Sequence, residues 1–282
     1  MGQLRTKMEQ DLVIRGVSTR TATHYVRAVT ALARHYGRAP DTLALSEVEG
    51  YLHYLRQERQ LNAGSIATAV TGLRFFYHVT LGRSRTDFFI PRPKTPQTQP
   101  HILSSQEVRR LLEQTGHRRD RALLATTYAA GLRVSEVVAL KVTDLDSERK
   151  LIRVDQGKGA KDRYTLLSER LLEELRAYWQ VFRPPHWLFP GEDPKQPLSP
   201  RTAERIYTRA AKRAQIRKPG GIHLLRHAFA THLVERGANV PTLQCLLGHS
   251  HVETTARYLH LAPRALARHG SVCDLLDFEP TP

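Results

Sequence analysis

A proline-rich run near residue 90 limits the folds open to this chain more than any other feature. The run IPRPKTPQTQPHILS, residues 90–104, contains four prolines. Proline lacks the backbone donor that a helix needs and its ring clashes with the preceding turn, so the run favours an extended connection. We therefore predict a first unit at residues 1–90, a linker at 91–103 and a larger unit at 104–282.

The first unit shows the apolar spacing of short amphipathic helices. Its predicted helices are 4–15, 19–36, 46–59 and 64–81, which together make a compact four-helix bundle. Ser46, three residues before Glu49, predicts a capping box at the start of the third helix. Arg20 and Arg27 on the second helix and Arg74 on the fourth are candidate DNA contacts, although solvated helix faces also carry such charges.

The second unit combines helices with one strand pair. Ser104 and Glu107 form a capping box at its first helix. The strand-like runs LIRVD, 151–155, and RYTLL, 163–167, flank the glycine-containing turn QGKGAKD, so we predict a β-hairpin with Lys158 at its tip. Helices follow at 168–181, at 200–214 and from Gly221 onwards. The predicted fold class is mainly α with a small antiparallel β-sheet.

The charge of the chain points to a polyanionic partner. The 43 Lys and Arg residues exceed the 27 Asp and Glu residues and give a formal net charge of +16, with both units basic. A globular chain that is basic throughout is typical of nucleic-acid-binding proteins, although a basic proteome would produce the same balance. No window approaches the roughly 18 apolar residues of a membrane span, and the two cysteines are isolated. We expect no membrane association and a cytoplasmic location.

The segment GIHLLRHAFATHLVERG, residues 221–237, predicts a helix with a cationic start. Its apolar residues are predicted to form a buried stripe: Ile222, Leu225, Phe229 and Leu233. His223 and Arg226 share a different face near the helix N-terminus, where the helix dipole disfavours cations unless an anion joins them. A phosphate would supply that anion. The alternative is that both residues merely lie on a solvated face.

His249 follows the end of one helix and precedes the start of another. Gly248 suits the left-handed position that ends a helix, and Ser250 with Glu253 has capping-box spacing. His249 is therefore predicted to be held between two helix ends.

Tyr258 lies in the helix that follows His249. The apolar stripe of that helix consists of Val252, Ala256 and Leu259, and Tyr258 lies about 120° away from it. We expect a tyrosine whose hydroxyl is accessible. It is either a surface residue or a nucleophile.

Two other sites can be weighed against the residues present. His223 and His227 have the spacing of the zinc motif HExxH, but Leu224 occupies the position of its Glu and no third ligand stands at a suitable spacing. The turn QGKGAKD lacks P-loop spacing and lies between strands. We therefore predict neither a metal nor a cofactor.

The remaining polar candidates suit phosphoryl transfer. They are Arg133, Lys158, His223, Arg226, His249 and Tyr258. Two arginines can fork onto the oxygens of one phosphate, and a lysine can protonate a leaving oxygen. Histidines can move protons or donate hydrogen bonds, and a tyrosine hydroxyl can attack phosphorus. The arginines supply the charge that a metal would otherwise supply.

In this order along the chain, five features resemble the tyrosine recombinases: GLRVSEV, GKGAKDR, HLLRHAFATHL, LLGHS, and a tyrosine nine residues after the histidine of LLGHS. The closest likeness is to Xer-like recombinases and to simple integron- or transposon-associated members. It covers nearly the whole chain. The resemblance implies a SAM-like N-terminal core-binding domain and a C-terminal catalytic domain.

The resemblance also implies a role for each candidate. Arg133 and Arg226 would clamp the scissile phosphate, and Lys158 would be the general acid for the 5′ leaving oxygen. Tyr258 would form a 3′-phosphotyrosyl link and would stand off the apolar stripe so that its hydroxyl reaches DNA.

The supporting residues follow in the same way. His223 would assist proton transfer, His249 would hydrogen-bond the phosphate, and Glu136 would buttress the site. Lys161 and Arg163 of the predicted hairpin are further candidate DNA contacts.

The family resemblance implies double-stranded DNA with inverted-repeat sites as the partner, in the nucleoid. It also implies a tetramer, made either of this chain alone or with a second recombinase. The tail, residues 263–282, carries five apolar side chains: Leu266, Val272, Leu275, Leu276 and Phe278. In such proteins the segment docks on a neighbouring subunit, whereas a helix packed on its own domain is the alternative.

Two other functions remain compatible with the residues. One is a type IB topoisomerase-like enzyme that relaxes DNA through the same chemistry, and the other is a non-catalytic DNA-binding protein. Chromosome-dimer resolution, cassette integration and transposition remain open as biological roles.

Overall fold

The computed structural model describes residues 2–93, 101–155 and 162–248, together with Thr255 and Tyr258. The chain divides into two compact units, Met1–Thr98 and Gln99–Pro282. Several predicted features lie outside the described residues: the hairpin tip with Lys158 and Lys161, His249, the Ser250–Glu253 capping box, the stripe of the last helix, and the tail. Within the described part of the chain, no helix has the length and apolarity that a membrane span requires.

The first unit is a helical bundle, as predicted. Its α-helices are α1 (Gly2–Ile14), α2 (Thr19–Tyr36), α3 (Leu45–Gln57) and α4 (Ala63–Phe75). Leu12, Leu32, Val48, Leu73 and Tyr77 are among the side chains that fill its core. The core forms because the apolar residues of each helix recur on one face, and burying these faces together stabilises the bundle.

Two boundaries in this bundle differ from the prediction. The third helix begins at Leu45, and its cap is the Glu47 carboxylate, which accepts the backbone N–H of Ala44 at 2.9 Å. The predicted box of Ser46 and Glu49 is therefore wrong, because the chain turns two residues earlier and a glutamate alone serves that helix end. The fourth helix ends at Phe75 and continues as a π-helical turn over Phe76–Thr80.

The second unit contains the remaining helices and a small sheet. Its α-helices are α5 (Ser105–Glu113), α6 (Arg118–Ala129), α7 (Val134–Val138), α8 (Glu169–Phe182), α9 (Pro200–Arg213), α10 (His223–Glu235) and α11 (Val240–Leu247). The predicted capping box of Ser104 and Glu107 is confirmed, with hydrogen bonds of 3.2 and 2.7 Å. Ser199, which is followed by Pro200, caps α9.

The sheet consists of three antiparallel strands in the order β1, β2, β3. The strands are β1 (Leu145–Asp146), β2 (Leu151–Val154) and β3 (Arg163–Leu166). The predicted hairpin is confirmed in β2 and β3, where Ile152 pairs with Thr165. The short strand β1 was not predicted, because two residues give no periodic pattern. The fold class, mainly α with a small antiparallel sheet, is confirmed.

Gly131 joins α6 to α7 with a left-handed φ of 62°. A Cβ atom at this position would lie 2.2 Å from Cδ1 of Phe229 on α10. Glycine is therefore required both by the backbone conformation and by the close approach of α10.

We expect Gly131→Ala to lower the free energy of unfolding by roughly 2–4 kcal/mol, since it adds an overpacked contact to a strained φ. Urea denaturation measures the change. Gly237→Ala is the matched control, because Gly237 also has a positive φ but no atom within 4 Å of the added Cβ. Equal losses in the two variants would show that the contact with Phe229 contributes nothing.

Candidate active site

Arg226 is a buried cation at the start of α10. It is 4% exposed, and its Nη1 and Nη2 atoms donate to the carbonyl oxygens of Gly131 and Leu247 at 2.6 and 2.7 Å. Burial and the nearby charge of Arg133 together lower its pKa to about 10, so it remains a cation at neutral pH. The alternative that Arg226 lies on a solvated face is therefore wrong.

Arg133 is the N-cap residue of α7. Its backbone N–H donates to Oε2 of Glu136 at 2.8 Å, and its Nη1 donates to Oε1 of the same carboxylate at 2.5 Å. Because Glu136 also lies 3.5 Å from Nη1 of Arg226, one carboxylate lies between the two arginines. The structure thus brings together two residues that are 93 positions apart in the sequence.

Glu136 is the anion at the centre of this group. Burial alone would raise its pKa, but the hydrogen bond and charge of Arg163, the N–H of Arg133 and the charge of Arg226 outweigh burial. Together they hold the pKa of Glu136 at about 2. Glu136 therefore stays ionised throughout the neutral range.

The group carries more positive charge than its own carboxylate neutralises. Three guanidinium cations face one carboxylate anion, which leaves a surplus of two positive charges. Fixed cations in a partly buried site attract an anion more strongly than mobile surface cations do. The arrangement therefore suits a phosphate group.

His223 begins α10 beside this charge cluster. Part of the residue is exposed, but the surrounding protein removes water from its ring, and this loss of hydration lowers its pKa. The positive charges of Arg226 and Arg133 also lower the pKa. Glu204 and Glu136 act in the opposite direction. A largely neutral imidazole at the rim of a cationic site can accept or pass a proton.

Tyr258 occupies a different environment from the one predicted. It is 5% exposed and packs in an apolar cluster with Phe229, Leu243 and Leu247 of α10 and α11. Its hydroxyl lies 2.9 Å from Nδ1 of His227. The prediction that Tyr258 is accessible is therefore wrong for this arrangement, because its ring fills an apolar cluster and its hydroxyl finds a partner inside the protein.

His227 is the partner that sequence reasoning missed. The sequence pattern raised His227 only as a zinc ligand, a role that was not predicted. Its contact with Tyr258 spans 31 residues and gives no local pattern. Burial lowers the pKa of His227 to about 4, and the neighbouring His223 and Arg226 contribute. A neutral imidazole can accept the hydrogen bond that the Tyr258 hydroxyl donates.

Arg163 also lies in a different place from the predicted one. Its side chain is 8% exposed and donates to both oxygens of Glu136, at 2.9 and 2.8 Å. In this arrangement the Arg163 guanidinium is paired with Glu136 inside the protein, and its contact with DNA stays a prediction. The sequence pattern did not predict the burial of Arg163, since a four-residue strand does not show which of its faces is buried.

The arginines of the first unit are less tightly held. Arg20 and Arg27 are exposed, and Arg74 is half-buried. Arg27 lines a groove of about 1040 Å³ together with Arg5, Arg34 and Arg59, whereas Arg20 and Arg74 are not part of that lining. Cationic side chains on one bundle face could contact a polyanion.

In the described ranges, no group of three or more His, Cys, Asp or Glu side chains is placed to hold a metal ion. Lys158, Lys161 and His249 lie outside those ranges.

Comparison with known proteins identifies the family. Residues 101–264 match the phage integrase family, and residues 4–87 match the N-terminal SAM-like domain of phage integrases. A protein of Sinorhizobium fredii named as an integrase/recombinase is 45% identical and covers 100% of this chain and 92% of its own length. Tyrosine recombinase XerD of Listeria monocytogenes is 34% identical, covering 89% of this chain and 91% of its own.

Solved structures share the fold. A crystal structure of XerA recombinase matches with a TM-score of 0.56 at 27% identity, over 97% of this chain and 98% of that one. A lambda integrase fragment, solved as a dimer bound to a COC′ core site, matches with a TM-score of 0.75 at 20% identity, over 90% and 96%. The chain belongs to the phage integrase family and is a site-specific tyrosine recombinase, an enzyme that cleaves and rejoins DNA strands.

Proposed function

We propose that Arg133 and Arg226 hold the scissile phosphate of this recombinase and that Tyr258 attacks it. The observation that carries the proposal is the pair of arginines fixed on one buried carboxylate, with positive charge in surplus. Arg226 and His227 are neighbours on α10, so the candidate clamp and the partner of Tyr258 belong to the same helix turn.

Each step of the proposed reaction exchanges one ester bond to phosphorus for another, so the number of ester bonds does not change. The Tyr258 oxygen forms a bond to phosphorus and passes its proton to His223, while the bond from phosphorus to the 5′ oxygen breaks. The 5′ oxygen takes a proton from Lys158, and the strand is left as a 3′-phosphotyrosyl ester. Attack by a 5′ hydroxyl on that ester reverses the chemistry and frees Tyr258, so no nucleotide hydrolysis is needed.

The arginines act through the charge that develops during this step. The oxygens of the phosphate that do not break their bonds become more negative as the fifth ligand approaches. Cations that are already in place stabilise that charge without having to reorganise. His223 and His249 are proposed to donate hydrogen bonds or move protons at the same phosphate.

We propose that Tyr258 changes position before it attacks, because its hydroxyl is bound to His227 and its ring is buried. We propose that DNA binding shifts the population towards a form in which the hydroxyl reaches the phosphate.

The partners are proposed from the charge of the chain and from its relatives. We propose double-stranded DNA with inverted-repeat sites as the substrate, contacted by Arg20, Arg27, Arg74 and Lys161. Lambda integrase structures include a dimer bound to a core site and a tetramer bound to a Holliday junction. We propose a tetramer on DNA here as well, acting in the cytoplasm on the nucleoid, of this chain alone or with a second recombinase.

The tail is proposed to join neighbouring subunits. The second unit has a groove of about 520 Å³ whose lining includes Leu171, Phe229 and Leu233. Four arginines and one glutamate that pairs with Arg121 also line the groove: Arg109, Arg121, Arg170, Arg236 and Glu174. The tail sequence DLLDFE, residues 274–279, contains three acidic and three large apolar residues. Charge and hydrophobicity therefore match, and we propose that the tail of one copy docks in this groove of another.

Tyr258→Phe should bind DNA normally and form no covalent adduct, because the ring is kept and the attacking oxygen is removed. A suicide substrate followed by denaturing electrophoresis measures the adduct. Tyr128→Phe is the matched control, since the Tyr128 hydroxyl also lies 2.9 Å from Nδ1 of a histidine, His232. An adduct that persists in Tyr258→Phe would place the nucleophile elsewhere, and loss of the adduct in both variants would indicate a general structural effect.

Arg133→Ala and Arg226→Ala should each slow cleavage about 100-fold or more, since a fixed donor at the transition state contributes about 3 kcal/mol. Affinity should change little, because each removes one phosphate contact among many. Single-turnover cleavage and gel-shift titration measure the two quantities separately. Wild-type cleavage by either variant would remove that arginine from the clamp.

EDTA provides a control on the source of the positive charge. Cleavage should be unchanged in EDTA if the arginines supply it. Loss of cleavage that zinc or magnesium restores would contradict the proposal.

Deleting residues 263–282 should leave half-site binding intact and weaken cooperative binding to full sites, because the docking segment is gone. Gel-shift titrations on half-site and full-site DNA separate these effects. Arg109→Glu, which reverses one charge of the groove, should reproduce the deletion, whereas Arg201→Glu, an exposed position of α9 outside the groove lining, should not. Undiminished cooperativity after deletion would exclude docking between subunits, and failure to bind a half-site would place the tail in its own domain.

A further inference from the structure

We infer that Arg163 on β3 is a positioning residue for cleavage, which fixes Glu136 and through it both Arg133 and Arg226. The inference rests on the proposed role of those two arginines as the phosphate clamp. It assigns a function in the reaction to a residue that does not itself touch the phosphate.

The pairing of Arg163 with Glu136 defines the orientation of the carboxylate. Nη1 donates to Oε1 at 2.9 Å and Nη2 donates to Oε2 at 2.8 Å, so both oxygens are engaged side by side. The two side chains are only 8% and 6% exposed. A two-point contact of this kind fixes the plane of the carboxylate, which a single lysine amine does not.

The oriented carboxylate in turn contacts the clamp. Oε1 accepts from Nη1 of Arg133, and Oε2 lies 3.5 Å from Nη1 of Arg226. Rotation of the carboxylate would therefore displace both contacts together. Strand β3 supplies Arg163, whereas the helical part of the site supplies the other members of the group.

Arg163 also holds the end of α11. Its Nε donates to the carbonyl oxygen of Leu246 at 3.0 Å, while Arg226 donates to that of Leu247. Gly248 follows with a left-handed φ of 61°, and a Cβ there would lie 2.6 Å from Cδ of Arg163. The Arg163 side chain thus passes directly under the residue that precedes His249 in the sequence. One guanidinium fixes both the clamp and the point where the chain leaves α11.

Stability alone does not account for this group. Buried ion pairs cost much of their attraction in lost hydration, and apolar pairs of similar volume often stabilise a fold equally well. A carboxylate fixed by one arginine and shared by two others is instead what a preorganised anion site requires.

The ionisation of Glu136 gives a second consequence of the same geometry. The charged groups that face Glu136 are Arg133 of α7, Arg163 of β3 and Arg226 of α10, with His223 nearby. Of the influences that lower the pKa of Glu136, the hydrogen bond and charge of Arg163 are the largest. Removing Arg163 takes away these two influences and leaves only those of Arg133 and Arg226 against burial, so we expect the pKa of Glu136 to rise and its protonation at lower pH to loosen the clamp.

The test compares Arg163→Met with Arg163→Lys and with Arg153→Met as the matched control. Arg153 lies on the adjacent strand β2 and pairs with Asp155 at 3.2 Å, at 46% side-chain exposure. Single-turnover cleavage of a suicide substrate is measured from acid to alkaline pH, half-site binding is measured as a function of salt, and thermal melting reports folding.

We expect Arg163→Met to cleave at least about 100-fold more slowly than wild type while binding within threefold. Its cleavage should fall further as the pH is lowered, over a range in which wild-type cleavage is constant. Arg163→Lys should recover part of the rate, because it restores a charge but not the two-point contact. If Arg163→Met does not fold, the slower rate and shifted acid limb of Arg163→Lys carry the test.

Two results would overturn the inference. One is cleavage within threefold of wild type in Arg163→Met, or in Arg163→Lys where Arg163→Met does not fold. The other is a salt dependence of binding that falls by about 0.9 in slope together with the affinity, which indicates a direct phosphate contact. Failure of the proposed function is distinguishable, because Arg133→Ala and Arg226→Ala would then cleave at the wild-type rate.

Discussion

The ion pair between Glu136 and three arginines is the interaction on which the site depends. The carboxylate receives hydrogen bonds from Arg133 of α7 and Arg163 of β3 and lies against Arg226 of α10. These elements come from distant parts of the sequence, so the charge cluster exists only when the second unit has folded. The folded structure thereby holds these charges in fixed positions, where their electrostatic field favours a bound anion.

Apolar packing sets the distances within that field. Phe229 of α10 lies against Gly131, whose carbonyl oxygen accepts from Arg226. Phe229 also packs with Tyr258. A single ring therefore contacts the turn that orients the buried arginine and the cluster that holds the candidate nucleophile, which ties the core of this unit to its chemistry.

Local pattern predicted the local structure well and the long-range contacts poorly. The bundle, the hairpin and the cap at Ser104 follow from periodicity and spacing over a few residues. The start of α3 was missed because Ala44 has no capping side chain. The candidates Arg133, Arg226 and Tyr258 were found from motif resemblance, whereas the burial of Arg163 and the bond from Tyr258 to His227 depend on contacts across 27 and 31 residues.

The alternation of β3 couples the site to strand register. Arg163 and Thr165 point towards the protein, where Thr165 is buried and donates to the carbonyl oxygen of Ala130, while Tyr164 and Leu166 are exposed. A slip of one residue against β2 would replace the inward guanidinium with the phenol ring of Tyr164. The pairing of Ile152 with Thr165 therefore has to be kept for Arg163 to face the site. Errors in hairpin register during folding would give a protein with most of its secondary structure but without an ordered active site.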